Sequence, residues 1–312
     1  MHQPSHPPSP LTPVNHHPGA SARISLFLKR DDLLHPAIHG NKWRKLEPLL
    51  PLIQQGDYTG ILTFGGPFSN HIHAVAAAGR LYGFPTAAIV RGQAADLSNP
   101  TLAFARARGM QIFPVSKRDY DTGLESATVR EIIADFPDYF HLPEGGSTPA
   151  AARNCVRISG EILEQLDMQT GAPLFIAVPA GTGCTAAGVI AGLGDAGMAL
   201  VFPAAPYGVD ETSIRARITE LLPGTAPDFK VIADYCRDGF AAYRPEWIDF
   251  ALDFYLENNI LLDPLYTVKM MYGLFDLLSK GNFPIGSIVV AVHTGGLQAW
   301  AGFSSRYRGR KI

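Results

Sequence analysis

The sequence predicts an α/β protein built on two doubly wound parallel sheets, and three observations carry that expectation. Short apolar runs alternate with amphipathic runs of helical length along most of the chain, the pattern of βαβ units with right-handed crossovers. Several of the apolar runs end in glycine-containing loops that open directly onto a helical run, as strands do where open parallel sheets bind ligands. The 312 residues suffice for one large domain or two of medium size.

Taken in order, a helical run over 43–50 follows the turn His39-Gly40-Asn41, which reads as flexible. Residues 61–64 are strand-like and lead to a helical run at 70–82; 87–90 then lead to a helix at 102–108. Next come a strand at 111–115, a helix at 124–135 and a short strand at 140–142. The pattern resumes with a strand at 174–178, a helix from Thr185, and strands near 199–202 and 230–233. Helices at 245–258 and 266–279 precede a last strand at 288–292, and no internal repeat is present. Residues 1–20 hold several prolines and histidines and almost no large apolar side chains. They cannot bury enough surface to offset their ordering entropy and are expected as a disordered tail.

Composition narrows the partners. With 26 basic and 28 acidic residues the formal charge is -2, which advertises neither nucleic acid nor an anionic membrane and suits a small polar metabolite. The three cysteines, Cys155, Cys184 and Cys236, are odd in number and far apart, so a reducing, cytoplasmic setting is expected. The N-terminal segment lacks the charged start and long apolar centre of a signal peptide. The uncharged stretch 168–194 is long enough to span a membrane, but its prolines and glycines read as strand, loop and helix start.

Three loops stand at the carboxyl ends of predicted strands. Pro179-Ala180-Gly181-Thr182-Gly183-Cys184-Thr185 can bring exposed amides and a helix start to an anion; it lacks the lysine of a Walker loop and the third glycine of a dinucleotide fingerprint. A ligand-free strand-to-helix turn is the alternative. Gly65-Gly66-Pro67-Phe68-Ser69-Asn70-His71 places Ser69 and Asn70 at a helix N-cap, a structural role in its own right and also the geometry for receiving a carboxylate. His71 and His73 lie about 200° apart on a helix and cannot share a metal ion, and no metal site is expected. In Val292-His293-Thr294-Gly295-Gly296, the Thr294 hydroxyl can bond a neutral pyridine nitrogen or simply cap a helix. Lys42, in Gly40-Asn41-Lys42-Trp43-Arg44-Lys45-Leu46, is an amine at a helix start where a Schiff base could form.

These segments, with Leu28-Lys29-Arg30-Asp31-Asp32, Pro143-Glu144-Gly145-Gly146 and Leu262-Asp263-Pro264-Leu265-Tyr266, resemble the pyridoxal-phosphate enzymes that include 1-aminocyclopropane-1-carboxylate deaminase and D-cysteine desulfhydrase, within the tryptophan synthase β-like fold. The resemblance runs from about residue 28 to 307. It implies a pyridoxal 5'-phosphate cofactor linked to Lys42, which is also the proton shuttle. It further implies Asn70 on the cofactor's phenolic oxygen, Gly181, Thr182, Gly183, Cys184 and Thr185 on its phosphate, and Thr294 on its pyridine nitrogen. The backbone and side chains of Ser69, Asn70 and His71 would take the carboxylate of a small amino-acid substrate, and Tyr266 is the family's active-site tyrosine. The reaction implied is elimination to an aminoacrylate and hydrolysis to a 2-oxo acid and ammonia, with sulfide leaving when the substrate is cysteine.

The family also implies a homodimer, and a division into residues 21–46 with 151–312 as the larger, cofactor-binding domain and 47–150 as a smaller inserted one. The cofactor is expected in the cleft between them. Three departures bear on substrate. The best alignment puts Phe240 where characterised members carry a second active-site tyrosine, Phe68 stands where they carry glutamine, and Tyr266 is followed by Thr267 rather than glutamate. These favour a desulfhydrase-like reaction over opening of a cyclopropane ring. The 1-aminocyclopropane-1-carboxylate deaminase reaction itself, serine or threonine dehydration, racemisation and a non-catalytic binding protein are the other readings.

Overall fold

The computed structural model describes residues 6–166, 171–204, 211–222, 227–235 and 244–306. Among them ten strands form two sheets: β1 (Leu11–Pro13), β2 (Ser25–Lys29), β3 (Gly60–Gly65), β4 (Thr86–Arg91), β5 (Gln111–Val115), β6 (Tyr139–Leu142), β7 (Leu174–Ala180), β8 (Met198–Pro203), β9 (Phe229–Val231) and β10 (Ile288–Val292). One sheet runs β1-β2-β10-β7-β8-β9 and the other β5-β4-β3-β6. Every neighbouring pair is parallel except β1 with β2. The α/β class and the two parallel-sheet domains therefore stand, with one antiparallel edge strand added to the larger sheet.

The chain divides into two compact units. One comprises residues 1–35, 39–41 and 149–297, the other 36–38, 42–148 and 298–312. In the first, Ile176 and Val178 of β7 and Val290 and Val292 of β10 bury their side chains against the helices Pro149–Cys155, Arg157–Gln165 and Cys184–Leu193. Strands covered on both faces read as near-continuous apolar runs, which is why β7 and β10 were conspicuous in the sequence. In the second unit, Leu62, Ala87, Ile89 and Val115 on one sheet face pack with Val129 of the helix Ala127–Ala134.

The residue groupings depart from the expected domains at residues 36–38, 42–46, 149–150 and 298–312. Residues 42–46 join the smaller unit, where Trp43 stacks on Tyr82 with ring centroids 6.1 Å apart and Lys45 Nζ donates to the Gly145 carbonyl at 2.9 Å. Residues 298–312 join it too: Gln298 Nε2 donates to Asn70 Oδ1 at 2.6 Å. The expected disordered tail is also corrected, for residues 6–20. Leu11–Pro13 pairs with β2, and Ser9 is buried. The Ser9 hydroxyl donates to Asp31 at 2.7 Å, and its carbonyl accepts from the buried Lys29 Nζ at 2.6 Å. Lys29 is also paired with Glu161 at 2.8 Å. Polar contacts to a buried charge order a segment whose composition offers little apolar surface.

Local rules explain the helix bounds. Asn70–Tyr82 starts at Ser69, whose side chain accepts from the His71 and Ile72 amides, and ends at the left-handed Gly83. Pro245–Asn258 begins with proline at its first position and ends at the left-handed Asn259. The stretch 168–194 resolves, over its described part, into β7 and a ten-residue helix; among the described residues no helix is long and apolar enough to cross a membrane.

Candidate active site

Within the larger unit, β7 runs into Gly181 and Thr182, and the helix Cys184–Leu193 begins after Gly183, left-handed at φ +85°. No acidic residue lies in that helix's first turn. Amides at such a start, together with the helix dipole, favour an anion. Cys184 and Thr185 are buried, so Cys184 can offer its backbone amide while its thiol faces the core. Asn41 Nδ2 donates to Thr185 Oγ1 at 2.9 Å, tying the Gly40-Asn41 turn to the head of this helix.

That turn is not the flexible one expected. Gly40 is left-handed at φ +61°, and a Cβ there would lie 1.9 Å from the Thr294 carbonyl oxygen. The Asn41 amide donates to the same oxygen at 3.2 Å. Thr294 itself is buried. His293 Nε2 donates to the Leu261 carbonyl at 2.8 Å, the Gly295 amide donates to Nδ1 at 3.2 Å, and Nδ1 also lies 3.7 Å from Asp32 Oδ1, so the ring joins these segments.

Tyr266 is set by Asp263, fully buried, whose carboxylate accepts from the amides of Leu265, Tyr266 and Thr267 at 2.8–3.0 Å. This is a capping arrangement at the start of the helix Thr267–Ser279. The ring lies against the phosphate-type loop: a Cβ on Gly181 would meet Tyr266 Cε1 at 3.3 Å and Oη at 3.5 Å. The fold thus brings Gly181, Thr185, Asn41, Tyr266 and Thr294 into connected segments of one unit, although they span most of the sequence.

Within the smaller unit, Lys42 lies in the helix Asn41–Leu46, partly exposed, while Ser69 and Asn70 open the helix on β3. The Ser69 oxygen accepts from the His71 and Ile72 amides at 3.2 and 3.3 Å, which leaves its proton for another acceptor. Asn70 Oδ1 is engaged by Gln298, so its Nδ2 is the end available to donate. The part given to the His71 side chain needs correction. Its ring is buried and its Nε2 sits 2.7 Å from Thr63 Oγ1, inside the unit, so the backbone of His71 is the part left for a ligand. Burial, then the charges of Lys42 and Lys45, hold its pKa well below the usual histidine value.

Phe68 packs on the C-terminal helix Ala299–Arg306, where a Cβ on Gly302 would meet its ring at 2.7 Å. Phe240 lies outside the described residues. Among the described residues no group of three His, Cys, Asp or Glu side chains could hold a metal ion. Asn41, Asp263 and Gln298 were missed as contributors from the sequence; only the spacing of Asp263 to Thr267, a capping pattern, offered a local signal.

The residues present fit the phosphate ester of a pyridoxal cofactor. The Gly181 loop offers a glycine-shaped anion cradle with two threonines, and the next residue after Asn41 is a lysine. Comparison with known proteins agrees. The 1-aminocyclopropane-1-carboxylate deaminase of Pseudomonas syringae pv. syringae is 27% identical, over 96% of this chain and 95% of its own. The D-cysteine desulfhydrase of Salmonella typhi is 27% identical over 92% of each chain. A crystallised homologue of 1-aminocyclopropane-1-carboxylate deaminase, 24% identical, superposes with a TM-score of 0.79 over 96% of this chain and 92% of its own, which establishes the fold. The family model described as pyridoxal-phosphate dependent enzyme matches residues 6–295, and this chain belongs to that family.

Proposed function

We propose that the protein eliminates the β-substituent of a small amino acid to give a 2-oxo acid and ammonia, with D-cysteine as the substrate class. The observation that carries the reading is Asn41: its side chain bonds Thr185 at the head of the phosphate-type loop, and the following residue, about 3.8 Å along the backbone, is Lys42. Pyridoxal phosphate, when bound, supplies the electron sink for chemistry at the substrate's Cα.

The chain's own residues do the rest. Gly181, Thr182, Gly183, Cys184 and Thr185 would hold the phosphate, Asn70 Nδ2 would donate to the phenolic oxygen, and Thr294 would serve the pyridine nitrogen. Lys42 Nζ would hold the cofactor and would accept the proton from the substrate's Cα. Ser69 Oγ–H would donate a hydrogen bond to the substrate carboxylate, supported by the backbone of Asn70 and His71. As the Cβ–S bond breaks, the sulfur takes the bonding pair and a proton from Tyr266 Oη. Hydrolysis of the released enamine consumes one water and yields the 2-oxo acid and ammonia.

Scored for 2-oxo acid against D- and L-cysteine, D- and L-serine, L-threonine and 1-aminocyclopropane-1-carboxylate, the enzyme is expected to turn over D-cysteine with release of sulfide and to leave the cyclopropane intact. The reason is Phe240, which has no hydroxyl for ring opening. Formation of 2-oxobutyrate from the cyclopropane overturns the substrate assignment. Loss of chirality without 2-oxo acid makes the enzyme a racemase instead.

For setting and assembly we propose a cytoplasmic homodimer. Leu252, Tyr255 and Leu256 form an exposed apolar stripe along the helix Pro245–Asn258, of the kind that partners cover. Sedimentation velocity at micromolar concentration is expected to give the dimer mass; a monomer rejects the assembly without touching the chemistry.

A further inference from the structure

Most histidines at a ligand-binding turn invite a direct role, but the surroundings of His71 exclude one for its ring. The ring is 1% exposed and points into the smaller unit. Its Nε2 lies 2.7 Å from Thr63 Oγ1, and that hydroxyl in turn donates to the Leu142 carbonyl at 2.9 Å. A hydroxyl has a single proton. Since Thr63 spends it on Leu142, the proton between Thr63 and His71 belongs to Nε2, and His71 is the neutral Nε2–H tautomer. Its Nδ1 is buried without a hydrogen-bond partner, facing Gly146, where a Cβ would come within 3.4 Å of it. A second proton on Nδ1 would find no acceptor there.

The relay joins three elements. His71 stands in the first turn of the helix Asn70–Tyr82, Thr63 lies on β3, and Leu142 ends the neighbouring β6, in register with Thr63. The loop that follows β6 is fastened by Lys45, whose Nζ bonds the Gly145 carbonyl at 2.9 Å. The His71 side chain thus ties the first turn of this helix to β3 and β6. Ser69 alone is a poor anchor, since its contacts to the His71 and Ile72 amides are long, at 3.2 and 3.3 Å.

We propose that His71 is a positioning residue for the carboxylate-binding turn, acting through a fixed His71 Nε2–H to Thr63 Oγ1–H to Leu142 carbonyl relay rather than by touching the substrate. The inference rests on the proposed carboxylate site but not on the reaction catalysed there. It is separable from a general packing role, because Thr63→Val keeps the volume and removes only the hydroxyl, Thr63→Ser keeps the hydroxyl, and His71→Gln keeps a donor near the Nε2 position.

The test uses the cofactor-loaded protein and glycine, an amino acid that has no β-substituent to lose. Its dissociation constant, read from the cofactor's absorbance, reports carboxylate and amine binding whichever reaction the enzyme performs. Thr63→Val and His71→Leu are expected to weaken glycine about tenfold, the cost of one hydrogen bond in the relay. Thr63→Ser and His71→Gln should stay within about threefold of the parent by the same scale. The unliganded cofactor band should be unchanged in all four. Glycine affinity unaltered in a folded Thr63→Val protein overturns the proposal, and so does a lowered melting temperature with no change in affinity. Nitrogen-15 spectra of histidine-labelled parent protein give an answer that needs no variant. Among the signals of the neutral Nε2–H form, one should be absent from His71→Gln and should hold without titrating from about pH 6 to 8, where free imidazole titrates. A titrating or Nδ1–H signal for His71 overturns the relay. If no amino acid on the panel yields 2-oxo acid, the elimination reading fails, while the glycine and nitrogen-15 results still decide this one.

Discussion

Protein purified with pyridoxal 5'-phosphate is expected to be yellow, and Lys42→Ala colourless or only loosely coloured, with turnover lowered at least about 10³-fold. A positioned acid–base group alone contributes about 10²–10⁴, and in the proposed mechanism Lys42 also holds the cofactor. Borohydride should bleach the parent's visible band and leave the added mass on the peptide bearing Lys42. A bleached, mass-shifted peptide carrying Lys45 instead would move the anchor. That is a real distinction, because Lys45 is buried three residues on, with its Nζ committed to the Gly145 carbonyl. Lys42, partly exposed and directly following Asn41, is the better placed of the two.

Gly40→Ala is expected to do nearly as much damage with no chemical group removed. The added Cβ would lie 1.9 Å from the Thr294 oxygen, 2.3 Å from its carbonyl carbon and 2.7 Å from the Gly295 nitrogen. All three are backbone atoms, which cannot swing aside as a side chain can. The left-handed φ of +61° adds its own penalty. We expect a loss of about 2–4 kcal/mol, at the upper end for a single substitution. Cofactor affinity should fall with it, because the turn carries both Asn41 contacts and the start of the Lys42 segment. Gly83→Ala isolates the conformational part: its φ is +75° and nothing lies within 4 Å of the added atom, so about 1 kcal/mol is expected. Thermal melts and cofactor titrations of the two variants measure the difference; equal effects would remove the clash as the cause.

Legibility followed the range of the interactions involved. The helix Asn70–Tyr82 could be read with its bounds because both its signals are local, a serine cap and a terminal glycine. β7 and β10 were visible because burial on both faces demands continuous apolar residues. The helices Pro149–Cys155 and Arg157–Gln165 were not recognised. Nor was β2 foreseen as a strand, although it lies between β1 and β10; its charged Lys29 breaks the apolar run. That lysine is fully buried because Glu161, Ser9 and Gln165, distant in sequence, meet its ammonium. The same network orders residues near Ser9 whose composition signalled disorder.

At the candidate site the division is similar. The Gly181 loop and the Ser69 turn announced themselves as glycine and capping patterns after strands, and Lys42 through the motif around it. Gln298 gave no sign of its bond to Asn70, 228 positions away. His71 suggested a ligand contact, whereas its ring turned out to be held by Thr63. Sequence alone determined the fold class, through apolar periodicity, and the family and cofactor, through the resemblance of its motifs; caps and glycine turns, being properties of neighbouring residues, marked the segments expected to serve that cofactor. Tertiary structure decided which unit each segment joins, which end of Asn70 can donate, why Gly40 tolerates no side chain and which hydroxyl meets the His71 ring. Those depend on groups far apart along the chain that meet only when it folds.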